Sequence, residues 1–234
     1  MKTIKLMCIV FLLMVTTMEL AAQSVADICK KNVEALGGKT LVNNVKSIKI
    51  TQVGTSQGRN MPMVTIIIPG KAYYQKVRTP AGVMITCVKG RDGWTHTTIP
   101  APKTITIPEV RARSMLIDSK FYGPLFDFYV NGEDSDVKTI ILDGHSTIDR
   151  EDCYRLSITY KSGYKATVFV SLLDNMIKKV ETPSGTIRYS NYKKDNGVMI
   201  PRYVEITNVM GTVTAVVSKV NINSRINNDI FARP

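Results

Sequence analysis

The chain has 234 residues, of which 44% are hydrophobic and 21% charged, and its formal net charge is +12 at pH 7. That balance is ordinary for a globular protein with a real core. After the first residues no stretch approaches the ~20 apolar residues of a membrane-spanning helix, and no nucleic-acid recognition motif accompanies the basic excess.

The amino terminus reads as an export signal. Lys2 and Lys5 precede an apolar run over 6–15, and Glu19-Leu20-Ala21-Ala22-Gln23 supplies small residues for a peptidase. Residues 1–23 are therefore expected to be a signal peptide, with Ser24 the mature start. A lipidation signal at Cys8 fits less well, because Cys8 opens the apolar run and follows the bulky Met7. The mature protein is expected to be soluble and periplasmic, and residues 24–234 to form one domain.

Ser24 is placed to cap a helix in which Val25, Ile28, Cys29, Val33 and Leu36 recur at helical spacing before Gly37-Gly38. Thr40 is a candidate cap for a shorter helix reaching Val45. From Ser47 the period becomes two. Strands are predicted at 47–55, 61–68, 72–78, 83–89 and 94–98, separated by short turns that make neighbours antiparallel. The proline-rich piece 99–108 is expected to leave the sheet. Pro108-Glu109 then begins a helix with Val110, Met115, Leu116 and Ile117 on its apolar side. Phe121, Tyr122, Leu125, Phe126, Phe128 and Tyr129 follow, with Gly123-Pro124 as a break, and are too apolar to lie on a surface. Strands resume at 137–142, 153–160, 164–170, 176–181, 186–192, 199–207 and 212–220, with Asp143-Gly144 among the intervening turns. Along 153–160, Tyr154, Leu156, Ile158 and Tyr160 share one face. The fold class is thus mainly β, an open antiparallel half-barrel of about eleven or twelve strands, curled by twist, with helices as lid or plug.

Catalytic signatures are absent: there is no HExxH, GxSxG, P-loop or GxGxxG after a strand. A triad from His145, Ser146 and Asp149, or a metal site from His96 and His145 with Asp92 or Asp143, lacks constraining spacing. The acidic groups Glu133, Asp134, Asp136 and Asp149, Glu151, Asp152 read as solvated turns rather than a glycosidase dyad. Cys29, Cys87 and Cys153 follow the signal without a CxxC, and read as small buried thiols with at most one disulfide. No catalytic residue, metal ligand or cofactor is expected. The sole tryptophan lies in Lys89-Gly90-Arg91-Asp92-Gly93-Trp94-Thr95-His96. Arg91-Asp92-Gly93 reads as a turn, and Trp94, sharing a face with His96, is expected at the barrel rim or over a cavity.

Six stretches occur in an order that carries a resemblance: the segment from Glu34 to Thr55, RDGWTH, the segment from Phe121 to Gly132, DREDCYRLSITYKSG, the segment from Tyr189 to Ile206, and the ending VNINSRINNDIFARP. Together the chain resembles the outer membrane lipoprotein-sorting proteins of the LolA-like superfamily, especially periplasmic forms from Bacteroidota. The resemblance implies a half-pipe of strands lidded by helices, a non-enzymatic carrier, and a cavity for acyl chains of lipoproteins or other lipids. Candidate cavity residues are Ile66, Ile68, Tyr74, Trp94, Leu116, Phe121, Leu125 and Phe126. Expected partners are lipoprotein acyl chains or other lipid, with an anionic membrane surface or envelope proteins beside them, and no nucleic acid. The alternative is an envelope sensor or interaction protein that uses the same fold without transport.

Overall fold

The computed structural model describes residues 24–234. The signal peptide, its cleavage site and Cys8 lie outside the described residues.

The amino-terminal helix α1, Val25–Leu36, forms where the apolar spacing placed it. Ser24 Oγ accepts from the Asp27 amide at 3.1 Å, satisfying a donor that the first helical turn leaves unpaired. Gly37 ends the helix at φ 123. Its missing side chain matters, since a Cβ there would stand 2.4 Å from the Gly197 carbonyl oxygen. Helix α2 is only Lys39–Asn43, and it starts from Gly38 without a side-chain cap. The expected Thr40 cap does not form, because Thr40 is already inside the helix.

Thirteen strands follow: β1 Ile48–Ser56, β2 Arg59–Ile68, β3 Ala72–Thr79, β4 Gly82–Lys89, β5 Asp92–Thr97, β6 Lys103–Thr106, β7 Val137–Ile148, β8 Glu151–Tyr160, β9 Lys165–Ser171, β10 Ile177–Thr182, β11 Gly185–Asp195, β12 Val198–Asn208 and β13 Gly211–Ile222. They form one antiparallel sheet in the order β6-β5-β4-β3-β2-β1-β13-β12-β11-β10-β9-β8-β7. First and last long strands meet in the middle, with Ile48 opposite Ile222. The sheet curls without closing, so β6 and β7 are its two edges. Between them the chain makes α3, Glu109–Asp118, and α4, Gly123–Asn131. This excursion spans the concave side.

The half-barrel is as expected, with three local corrections. Strand β6 lies inside the proline-rich piece expected to leave the sheet; Pro100 and Pro102 belong to the connection, and four residues are too few to show alternation. Asp143-Gly144 is not a turn. Strand β7 runs through it with a register shift between Leu142 and His145, a bulge. The turn instead uses Asp149 and Arg150, both at positive φ (51 and 70). Likewise the β4–β5 turn is Gly90-Arg91, with Lys89 opposite Asp92, one step earlier than expected.

Both faces of the sheet carry apolar clusters. On the concave face, α1 and α4 bury Ile28, Val33, Leu36, Leu125 and Phe126 against Ile48, Ile67, Leu156, Ile158, Val168 and Ile200. Helix α3 sits over β3–β5 through Ala112, Leu116, Val88 and Ile107. On the convex face the carboxy-terminal segment returns across the sheet. Phe231, with Ile226 and Ile230, packs on Ile66, Ala72, Cys87 and Trp94.

Candidate functional site

The helices do not fill the concave side. A cavity of about 480 Å³ remains between sheet and lid, within the range of roughly 300–1,000 Å³ usual for small-molecule sites. One wall is Ile48 and Ile50 of β1, Ile67 of β2 and Tyr73 of β3. The other is Val180 of β10, Ile187, Tyr189 and Tyr192 of β11, Ile200, Val204 and Ile206 of β12, and Val217 of β13. The lid contributes Ile117, Asp118, Phe121 and Tyr122. Toward one end, the β10–β11 turn at Ser184 and Gly185 and the end of β12 at Thr207 and Asn208 also border it.

The lid is clamped by a buried polar network. Lys120, in the α3–α4 connection, pairs with Asp127 at 2.8 Å and Asp136 at 2.7 Å. Asp127 also accepts from Asn131 Nδ2 at 2.7 Å, Ser135 Oγ at 2.9 Å and the Asp136 amide at 2.9 Å. Burial pushes the Asp127 carboxyl up, but the Lys120 ammonium and these donors outweigh it and hold it below its ordinary value. Burial likewise lowers Lys120, and its two carboxylates more than reverse that. Across the cavity the Tyr192 hydroxyl donates to the Ile177 carbonyl at 2.7 Å.

Several tyrosines face apolar surroundings. Burial raises Tyr73, Tyr160 and Tyr192, and pushes Tyr189 up to about 12. Asp118, an exposed residue at the end of α3, is raised by partial desolvation. The three free thiols are buried in separate clusters, with Cys29 pushed to about 12 and Cys87 and Cys153 to about 11, chiefly by desolvation. They are packing groups rather than nucleophiles.

Of the eight residues singled out from the sequence, Phe121 lines the cavity. Leu125 and Phe126 lie behind it, fully buried between lid and sheet, and Leu116 fixes α3 to β4. Ile66, Ile68, Tyr74 and Trp94 are corrected to the convex face under the carboxy-terminal segment. Trp94 is 6% exposed there, neither at a rim nor over the cavity. The residues missed are their neighbours of opposite parity, Ile67 and Tyr73, and the inward positions of β11 and β12. In Thr65-Ile66-Ile67-Ile68 apolar side chains point both ways, because the tail buries the outer face too, so alternation could not assign the inner one.

His96 Nδ1 lies 2.8 Å from Thr104 Oγ1 across β5–β6, and His145 packs on Tyr154. Asp149 pairs with Arg188 at 2.8 Å, and Glu151 with Lys178 at 3.1 Å. No group of three or more His, Cys, Asp or Glu side chains among the described residues is arranged to hold a metal ion.

No protein-family model matches the chain, and no curated protein matches it. Solved structures do. A LolA superfamily protein from Nitrosomonas europaea superposes with a TM-score of 0.57 at 16% identity, over 89% of this chain and 97% of that one. The fold is LolA-like. A domain from Vibrio parahaemolyticus assigned to outer membrane lipoprotein sorting gives 0.53 at 15% identity, covering 88% and 95%. A DUF1329 family protein from Desulfovibrio piger gives 0.53 at 14% identity, covering 89% and 97%. At these identities the likeness speaks for the LolA-like architecture alone, an open curled sheet under helices.

Proposed function

We propose that the protein is a periplasmic carrier that holds the acyl chains of a lipoprotein or another lipid in the cavity between the concave sheet and its helical lid. One observation carries this reading: a cavity of about 480 Å³ between sheet and lid, lined mostly by apolar and aromatic side chains. An apolar cavity binds by removing chain from water, worth ~0.8 kcal/mol per methylene, so a chain of about 15 methylenes brings on the order of 12 kcal/mol against the cost of ordering it. Such a ligand crosses an aqueous compartment only inside a container, and a container needs no nucleophile. Export by the amino-terminal segment is part of the proposal. Among the described residues no helix is long and apolar enough to cross a membrane.

The test is titration of delipidated protein with a fluorescent fatty-acyl probe, alongside Val204→Trp, which puts an indole into the cavity from β12. Wild type should bind saturably, and the variant, folded by circular dichroism, should lose at least tenfold in affinity. Binding equal in both proteins would move the chain site elsewhere, and no binding in either would remove the carrier reading.

A further inference from the structure

The two ends of the cavity differ. Where β1 begins, α1 and α2 seal it through Leu36, Val42 and Val45, packed with Ile48, Met176 and Val198. At the opposite end hairpin turns make the rim: Ser184 and Gly185 between β10 and β11, and Thr207 and Asn208 at the end of β12, border the cavity there. The β1–β2 turn stands beside them, since Ser56 Oγ donates to the Thr212 carbonyl at 3.4 Å.

From that rim the β12–β13 hairpin carries Val209 and Met210 into water. Val209 is 103% exposed and Met210 84%, more than any other large apolar side chain among the described residues. The tip is held in this shape. The Asn208 side chain accepts from the Met210 amide at 2.8 Å, and Thr207 Oγ1 and Thr212 Oγ1 lie 3.0 Å apart across the hairpin. Exposure alone does not single the hairpin out, because Leu173, in the turn after β9, is 83% exposed at the sealed end. Its place on the cavity rim does.

A tip of two side chains falls far short of the ~800 Å² per partner that a specific protein interface buries. A bilayer surface accepts apolar groups without a matching shape. Charge points the same way. Residues 51–62, 182–187 and 206–214 contain no acid. Arg59, in the β1–β2 hairpin, is exposed and forms no ion pair among the described residues. The acids just behind the rim, Glu181 and Glu205, are paired with Lys179 at 2.5 Å and Arg188 at 4.0 Å. The net charge of +12 draws the whole molecule toward an anionic surface.

We propose that the β12–β13 hairpin is a membrane anchor: Val209 and Met210 enter the head-group region of an anionic phospholipid bilayer, with Arg59 beside them, and set the open end of the cavity against the lipid. Its purpose rests on the cavity being a chain-binding site, since a docked mouth lets a chain enter or leave without crossing water.

The native thiols are buried, so Met210→Cys takes a nitrobenzoxadiazole label at the tip and Leu173→Cys takes it at the sealed end. Delipidated protein, purified from an envelope fraction, is mixed with vesicles of phosphatidylethanolamine and phosphatidylglycerol. The tip label should shift to the blue and be quenched by a nitroxide carried on the lipid head groups, and the Leu173 label should do neither. In co-sedimentation, Val209→Ser combined with Met210→Ser should lose roughly tenfold or more in vesicle affinity, and Arg59→Gln about fivefold. Both variants should bind the soluble fatty-acyl probe as wild type does. A tip label that vesicles leave unshifted, a serine variant that sediments like wild type, or a tip label that shifts only when the protein self-associates or meets an envelope protein overturns the anchor and leaves the cavity reading standing. Vesicle docking through the tip without acyl-probe binding overturns the cavity reading and leaves the anchor.

Discussion

Phe231→Ala probes whether the carboxy-terminal segment is part of the fold or merely rests on it. The ring is 6% exposed and packs among Ile66, Ala72, Cys87 and Trp94. It meets Tyr74 edge-on at 6.5 Å between ring centres, with Lys89 Nζ 5.6 Å from its centroid. Removing a buried phenylalanine ring costs ~3–5 kcal/mol. The lower end applies, since the segment lies on an outer face and its neighbours can close on the void. About 3 kcal/mol in a chain of this size lowers Tm by roughly 6–12 °C. Trp94, the only tryptophan in the sequence, lies beneath Phe231 and reports directly. Its emission should shift to the red in native buffer, before the global transition seen by circular dichroism. Phe231→Leu should recover most of both effects. Unchanged Trp94 emission together with a Tm within ~2 °C of wild type would refute the packing assigned to the outer face.

Two further perturbations follow from the concave side. Gly37→Ala places a Cβ 2.4 Å from the Gly197 carbonyl oxygen at a φ of 123, and should cost ~2 kcal/mol or more by chemical denaturation. Asp127→Asn breaks the buried network with Lys120 and should cost about 3 kcal/mol at neutral pH. Because the native Asp127 carboxyl is held below its ordinary value, its stabilisation is present above an unfolded pKa of ~3.9 and fades as pH falls through the native one. The wild-type and variant stability curves should therefore converge on acidification.

The sheet was legible because most of its strands alternate cleanly and its turns carry Gly, Asn or Asp. The face 154–160 is an example: Tyr154, Leu156, Ile158 and Tyr160 are all buried together against α1 and α4. Strand β6 was not legible, since the signal of Pro100 and Pro102 swamped four residues at an edge. The cavity was legible as a consequence of curvature plus an aromatic lid, but its lining was not. Which face of β2, β3 and β5 turns inward depends on the tail that covers the other face, and that contact joins residues far apart in sequence. Trp94 looked like a site residue because tryptophan is rare here, whereas its role is to receive Phe231.

The most direct measurement is native mass spectrometry of the full chain purified without detergent from an envelope fraction. An apolar carrier should appear with a bound lipid of discrete mass, lost on delipidation and much reduced in Val204→Trp. A wild-type protein that is uniformly ligand-free, and that takes up no acyl lipid when incubated with it, would contradict the carrier function.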